Sequence, residues 1–280
     1  MHPWVKSFFA ALAAACACAP VHASDPSPEM YNARAMALGG AVTSVPGKIM
    51  SARANPAALA PIKGFYGGAT YLTRNENQLD GIAVTLIDNV SAPITGALNY
   101  ERTVTDGESE EVALSLASGM NGYYWGVSGR FAHTRKTRLA DWDNTFLGDA
   151  GLLIMRDSGF SFGLAARDFF DSNYQALKRR VAGGLSYSLD SGLLLSADYV
   201  RYFDLDEKRG ATIHTGIEWK PNQTPWSFRV GGLFDRITRE TYFSLGAGWS
   251  NQAFEIDYAY RANRDHGADD IHILTLSYPF

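Results

Sequence analysis

Cysteine is almost missing from this chain. The two present, Cys16 and Cys18, both lie near the amino terminus, in a stretch that reads as a removable leader. Once that leader is gone, disulfides and thiolate chemistry drop out of the account. Long hydrophobic runs are also missing: past the leader, no stretch approaches the roughly 20 apolar residues of a membrane-spanning helix. There is no basic excess either. The formal charge is −4, which argues against a nucleic-acid-binding surface. His133, His214, His266 and His272 do not have the spacing of a metal site, so neither a metal nor a cofactor is expected. His214 has the most suggestive setting, near Glu218 and with Asp198 as a neighbour on the adjacent strand if the register brings them level. No nucleophile is fixed beside it by any motif, so no catalytic residue and no enzyme activity are expected.

The opening MHPWVKSFFAALAAACACAPVHA has the layout of a secretory signal peptide. Lys6 gives the basic start, Phe8 to Ala19 the apolar core, and Val21 and Ala23 the small residues before a cut. The expected division is a signal peptide over 1–23, a lead-in and plug over 24–62, and a barrel over 63–280.

The far end of the chain is the most informative. In DDIHILTLSYPF, His272, Leu274, Leu276, Tyr278 and Phe280 share one face, and Ile271, Ile273, Thr275, Ser277 and Pro279 share the other. A period of two means a strand, and a closing strand with an outward apolar face and a terminal aromatic suits a transmembrane barrel. Fourteen such segments can be traced, at about 63–73, 78–88, 92–102, 110–118, 121–133, 145–156, 159–168, 177–189, 191–201, 210–220, 225–235, 239–249, 251–261 and 269–280. Charge and glycine hold one face of them while large apolar groups hold the other. With both chain ends in the periplasm, the outward connections are mostly the longer ones, a parity that a soluble sandwich has no reason to show. The reading is an all-β, 14-stranded antiparallel transmembrane β-barrel of the bacterial outer membrane, with Thr134 to Asn144 as its longest outer loop.

The polar face places Glu101, Arg130, Arg167, Arg180, Asp198, Glu218, Arg229, Asp235, Glu255, Asp257 and Arg261 toward the lumen, where charges are expected to pair because unpaired charge is costly in low dielectric. Small residues on that face, such as Gly126, Ser128, Gly163 and Ala165, suit a filled interior. Aromatics near strand ends, among them Tyr66, Tyr123, Tyr124, Trp125, Trp142, Tyr202, Trp219, Trp226 and Tyr278, are candidates for interfacial girdles.

Before the barrel, Ala33 to Leu38 and Ile49 to Ala54 are expected to make brief helical turns, stopped by Gly39–Gly40 and by Asn55–Pro56. Here the stretch ARAMALGGAVTSV, with Arg34, Gly39, Gly40 and Ala41, is followed by ARANPAAL, with Asn55, Pro56 and Ala57. The pairing resembles the N-terminal signature of the outer-membrane long-chain fatty-acid transporter superfamily, which includes compact relatives associated with type IX secretion and conjugation. The resemblance implies a plug entering from the periplasmic side, a fourteen-stranded barrel around it, and a conduit for small hydrophobic molecules. In such members the ligand meets an apolar pocket and leaves through a kink in the wall beside the plug. This chain departs from that pattern in its short outer loops and charged lumen, which favour the alternative of a non-transporting structural or secretion-partner barrel with a filled lumen. The partners to expect are outer-membrane lipid and, through the C-terminal strand, the barrel assembly machinery. A small hydrophobic ligand and an envelope protein remain the two further candidates.

Overall fold

The structure, a computed structural model, describes residues 32–74, 78–104, 108–135, 142–169, 179–203, 210–264 and 270–280. The leader and most of the lead-in lie outside these residues. Fourteen strands follow the N-terminal segment: β1 (Phe65–Arg74), β2 (Gln78–Asp88), β3 (Thr95–Val104), β4 (Glu108–Met120), β5 (Tyr123–Arg135), β6 (Asp143–Met155), β7 (Phe160–Arg167), β8 (Arg180–Ser188), β9 (Leu193–Tyr202), β10 (Ala211–Trp219), β11 (Trp226–Asp235), β12 (Glu240–Ser250), β13 (Glu255–Asn263) and β14 (Ile271–Pro279). Each pairs antiparallel with its sequence neighbour, and β14 returns to β1, so the sheet is a closed barrel without an edge. No helix among the described residues is long and apolar enough to cross a membrane; the strands do so.

The outward face is apolar. Leu114, Phe146, Leu185, Phe228, Leu245 and Leu276 are all exposed, an arrangement that is stable against lipid and not against water. Tyr123, Trp125, Trp219, Trp226 and Tyr278 are exposed at the rim that carries both chain ends of the barrel, as an interfacial girdle requires. Three girdle candidates do not belong to it. Tyr66 and Tyr124 turn inward and pack on the N-terminal segment, and Tyr202 lies beneath the Arg180 guanidinium inside the wall. The opposite rim carries the longer connections, including 168–179, 203–210 and 264–270, and is therefore the outer one. The longest of these is 168–179 rather than Thr134 to Asn144, because β5 runs on to Arg135 and β6 begins at Asp143.

Local chemistry sets the strand ends. Asn121 and Gly122, at φ 53° and 80°, make the two-residue turn between β4 and β5 that right-handed strand twist favours. β13 starts at Glu255 rather than near 251, because the Asn251 side chain accepts from the Ala253 and Phe254 N–H groups, both at 2.8 Å, and holds a turn there. β3 starts at Thr95, leaving Pro93 in the preceding turn. One irregularity interrupts the ladders among the described residues, a register shift between Leu72 and Thr73 where β1 pairs with β2.

The last residue extends the closing seam between β1 and β14. The Phe280 N–H donates to the Phe65 carbonyl at 2.9 Å, and the two rings meet edge to face with centroids 5.2 Å apart. Deleting Phe280 is expected to lower the amount of barrel in the outer membrane several-fold, measured by immunoblot of membrane fractions. Unchanged levels would show that the terminal ring is dispensable for closure.

Candidate functional site

The N-terminal segment lies inside the barrel. Its first helix, α1 (Ala33–Ala37), is capped by Asn32, whose side chain accepts from the Ala35 N–H at 2.8 Å. Gly39 and Gly40, at φ 64° and 84°, end it in a conformation that other residues resist. The second, α2 (Lys48–Ala54), stops at Asn55 because Pro56 follows it. A 3-10 turn, Pro56–Leu59, then forms under the Asn55 carboxamide, which accepts from Ala57 N–H at 3.1 Å. That same amide donates to the carbonyls of Thr43 (2.7 Å) and Leu152 (3.1 Å), tying two parts of the plug to the wall.

The wall makes room for this plug with glycine. Gly163 and Gly184 face Thr43, Gly216 and Gly231 face Leu38 and Gly39, and Gly246 faces Ala37. On β5, β6 and β1, Gly126 faces Pro56 and Ala57, Gly151 faces Asn55, and Gly68 faces Ile49. A methyl carbon at Gly126 would lie 2.5 Å from the Pro56 carbonyl carbon, well inside contact distance. At Gly126, Gly163, Gly216 and Gly231 the plug backbone lies directly against the wall; at Gly68, Gly151, Gly184 and Gly246 plug side chains fill the space.

Ion pairs and polar clamps complete the seat. Arg34 meets Glu218 with two bonds of 2.8 Å and donates to the Pro46 carbonyl at 3.1 Å. Burial works against the Arg34 charge, but Glu218 beside it more than offsets this and raises the guanidinium above its ordinary pKa. Glu218 also receives Arg229 at 2.5 Å, and Arg229 reaches Asp257 at 2.5 Å. Lys48 meets Glu255 at 3.1 Å. Asp198 accepts from the Val42 and Thr43 N–H groups, both at 2.8 Å. His214 ties the wall to the plug: its Nδ1 meets the Gly39 carbonyl at 2.7 Å and its Nε2 the Thr212 hydroxyl at 2.8 Å. Near the periplasmic rim, the Asn89 amide donates toward the carbonyls of Leu59, Ala60 and Ile62 and holds the exit of the plug.

A second network lies toward the outer rim. Arg53 of α2 pairs with Glu101 (3.1 Å) and Glu111 (2.7 Å). Arg130 pairs with Glu111 (2.8 Å), Asp149 (2.8 Å) and Asp168, and Arg180 pairs with Asp168 at 3.3 Å. Arg167 is buried on the same side and Asp235 across from it, while Glu255 and Arg261 are only partly buried. Among the signature residues, Ala41, Asn55 and Ala57 are fully buried and Pro56 opens the 3-10 turn. Sequence reasoning passed over Arg53, Glu111, Asp149 and Asp168.

It also passed over an apolar patch. Leu72, Ala83, Ala259, Ile271 and Ile273 turn inward from β1, β2, β13 and β14 and pack with Met36 of α1. The patch lies in the outer half of the barrel, opposite the Arg130 network. Its sequence signal was the pair Ile271 and Ile273 on a face that elsewhere holds charge or glycine. Among the described residues, no group of three or more His, Cys, Asp or Glu side chains is placed to hold a metal ion.

No family model and no curated protein matches the chain. Solved structures do. The Ralstonia pickettii toluene transporter TbuX matches with a TM-score of 0.70 at 11% identity, over 89% of this chain and 98% of that one. The monoaromatic hydrocarbon channel CymD gives 0.67 at 12%, over 89% and 97%. A deltaS2 mutant of the monoaromatic hydrocarbon channel TodX gives 0.71 at 10%, over 91% and 100%. These likenesses lend no support to the secretion- or conjugation-associated relatives. At such identities they establish the architecture: the chain is a fourteen-stranded outer-membrane barrel with an internal plug, in the fold of these hydrocarbon channels.

Proposed function

We propose that the barrel is a conduit for small hydrophobic molecules, of the size of a single aromatic ring. The observation that carries this is the inward apolar patch of Leu72, Ile271 and Ile273 above Met36. In this structure Ala33, Met36 and Ala37 of the plug cover the patch; a hydrophobic solute that displaces the flexible Met36 side chain gains by leaving water against it. The patch borders the register shift at Leu72 and Thr73, so a molecule held there lies next to the irregular part of the wall. The architecture shared along nearly the whole length of the toluene transporter and the two monoaromatic hydrocarbon channels supports the same reading.

The glycine seat and the ion pairs favour a second reading, a structural barrel whose filled lumen passes nothing. Uptake separates the two. Cells carrying the barrel are expected to accumulate labelled toluene faster than cells with an empty vector, and Ile273→Glu is expected to return uptake to the vector level while the barrel still runs as a folded band on unboiled gels. Equal uptake with and without the wild-type barrel would favour the structural reading.

A further inference from the structure

The inward apolar patch has a polar edge. Phe243 and Leu245 on β12, Tyr258 on β13 and Leu274 on β14 are exposed on the outer surface, so strand alternation turns Ser244, Arg261 and Ile271 into the lumen. Ser244 and Arg261 are register partners, and so are Arg261 and Ile271. The three side chains therefore form one row, with Cβ atoms about 5 Å apart from strand to strand. The next row toward the periplasm is Ala259, Ile273 and Leu72. Arg261 is only partly buried, and its guanidinium carbon lies 4.8 Å from the centre of the Tyr242 ring, a cation–π contact. The Tyr242 hydroxyl in turn donates to Glu240.

Ser244 supplies a second, independent observation. It is 1% exposed, and its hydroxyl has no hydrogen-bond partner among the described residues. Buried hydroxyls are ordinarily paired, because an unpaired one has given up water for nothing. An acceptor placed between Ser244 and the Arg261 guanidinium satisfies that hydroxyl and meets a positive charge. A guanidinium has five N–H donors, so Arg261 can take such an acceptor while keeping the contacts it already makes. The apolar run beside this pair is short. The Ile273 row lies about 6.8 Å below the Arg261 row, the length of one substituted benzene ring. The row below that is polar: the Thr70 and Thr275 hydroxyls are 3.0 Å apart, Thr275 also accepts from the Ala33 N–H, and Asp257 stands level with it.

We propose that the solute held at the patch is a monoaromatic carboxylate, its ring against Ile271 and Ile273 and its carboxylate accepting from the Arg261 guanidinium and the Ser244 hydroxyl. The inference rests on the reading of the patch as the surface that holds the solute, and adds the charged group that the solute presents. The planar fork of a guanidinium matches the two oxygens of a carboxylate. Charge sets the orientation, since a solute inserted the other way round brings its carboxylate toward Asp257. Length sets the class: the threonine row ends the apolar run, so the tail of a long-chain acid has no apolar surface to follow.

The test is uptake by cells that lack general porins and carry the full-length barrel, with labelled 4-methylbenzoate, toluene and decanoate supplied separately at neutral pH. The wild-type barrel is expected to speed entry of 4-methylbenzoate and toluene over the empty vector and to leave decanoate at the vector rate. In the double variant Arg261→Gln, Ser244→Ala the ratio of 4-methylbenzoate to toluene uptake is expected to fall roughly tenfold. Ser244→Ala alone, the milder change, is expected to lower the ratio in the same direction. Unboiled gel migration establishes that each variant is folded. Faster toluene entry with 4-methylbenzoate at the vector rate would overturn this inference and leave the hydrophobic conduit standing. An unchanged ratio in the folded double variant, or decanoate entering as fast as 4-methylbenzoate, would also overturn it. Vector-level entry of both aromatics would overturn the conduit and the inference together.

Discussion

Replacing Gly126 and Gly163 together by valine is expected to turn a closed barrel into a conducting one. Both glycines face plug backbone: Pro56 and Ala57 at the first, Thr43 and Ser44 at the second. A side chain can rotate away from an intruding methyl group, but a backbone carbonyl held by its own hydrogen bonds cannot. The wall itself has no reason to fail, because a β-branched residue suits a strand and both positions keep their ladder partners. Overpacking of this kind costs roughly 1–3 kcal/mol per site, and the two sites press on neighbouring parts of the plug, Pro56 and Thr43. In planar bilayers the wild type is expected to stay closed and the double variant to open to ions. A folded double variant that remains closed would mean that the plug can be seated without its glycine contacts.

The largest single loss of stability is expected at Arg130. This side chain is 1% exposed and holds three carboxylates together: Glu111, Asp149 and Asp168. Arg130→Met removes the cation and leaves the acids. Glu111 keeps Arg53 and Asp168 keeps Arg180, but Asp149 retains the Asp168 N–H at 3.0 Å, a weaker stabiliser than a guanidinium. Breaking a buried pair from one side costs about 3–5 kcal/mol, since the remaining charge is uncompensated. Arg102→Met is the matched control, because the Arg102–Glu110 pair is exposed and such pairs contribute about 0–1 kcal/mol. Urea unfolding followed by tryptophan fluorescence should move its midpoint strongly for Arg130→Met and hardly at all for Arg102→Met. Equal shifts would place the stability of the barrel elsewhere than in its internal charges.

The wall was legible in the sequence because lipid is an unforgiving neighbour. Each strand must show an apolar face outward, so Phe228 and Val230, or Leu274 and Leu276, repeat at period two without interruption. Boundaries moved where side chains override that rhythm: Asn251 builds a turn from residues that look like the start of a strand, and Pro93 does the same before β3. The lumen was harder to read. The inward position of Glu218 follows from alternation, but its partner Arg34 stands 184 residues away, and only the placed plug brings them together. The glycines could be assigned to the inner face by alternation, yet nothing local says which part of the plug each one meets: Gly163 faces Thr43, and Gly216 faces Leu38. Ile271 and Ile273 were visible as an exception to the polar face, and only the barrel gave that exception neighbours.

The plug is the first part of the described chain to be synthesised, and its seat is the last to exist. Val42 and Thr43 wait for Asp198, and Gly39 waits for His214 and Gly231. These partners come into place only as β9, β10 and β11 are added to the wall. Contacts across such sequence distances form late, because the intervening chain must be ordered first. The growing sheet therefore has to curl around a segment that is still undocked, and the lumen becomes watertight only as a final act of assembly.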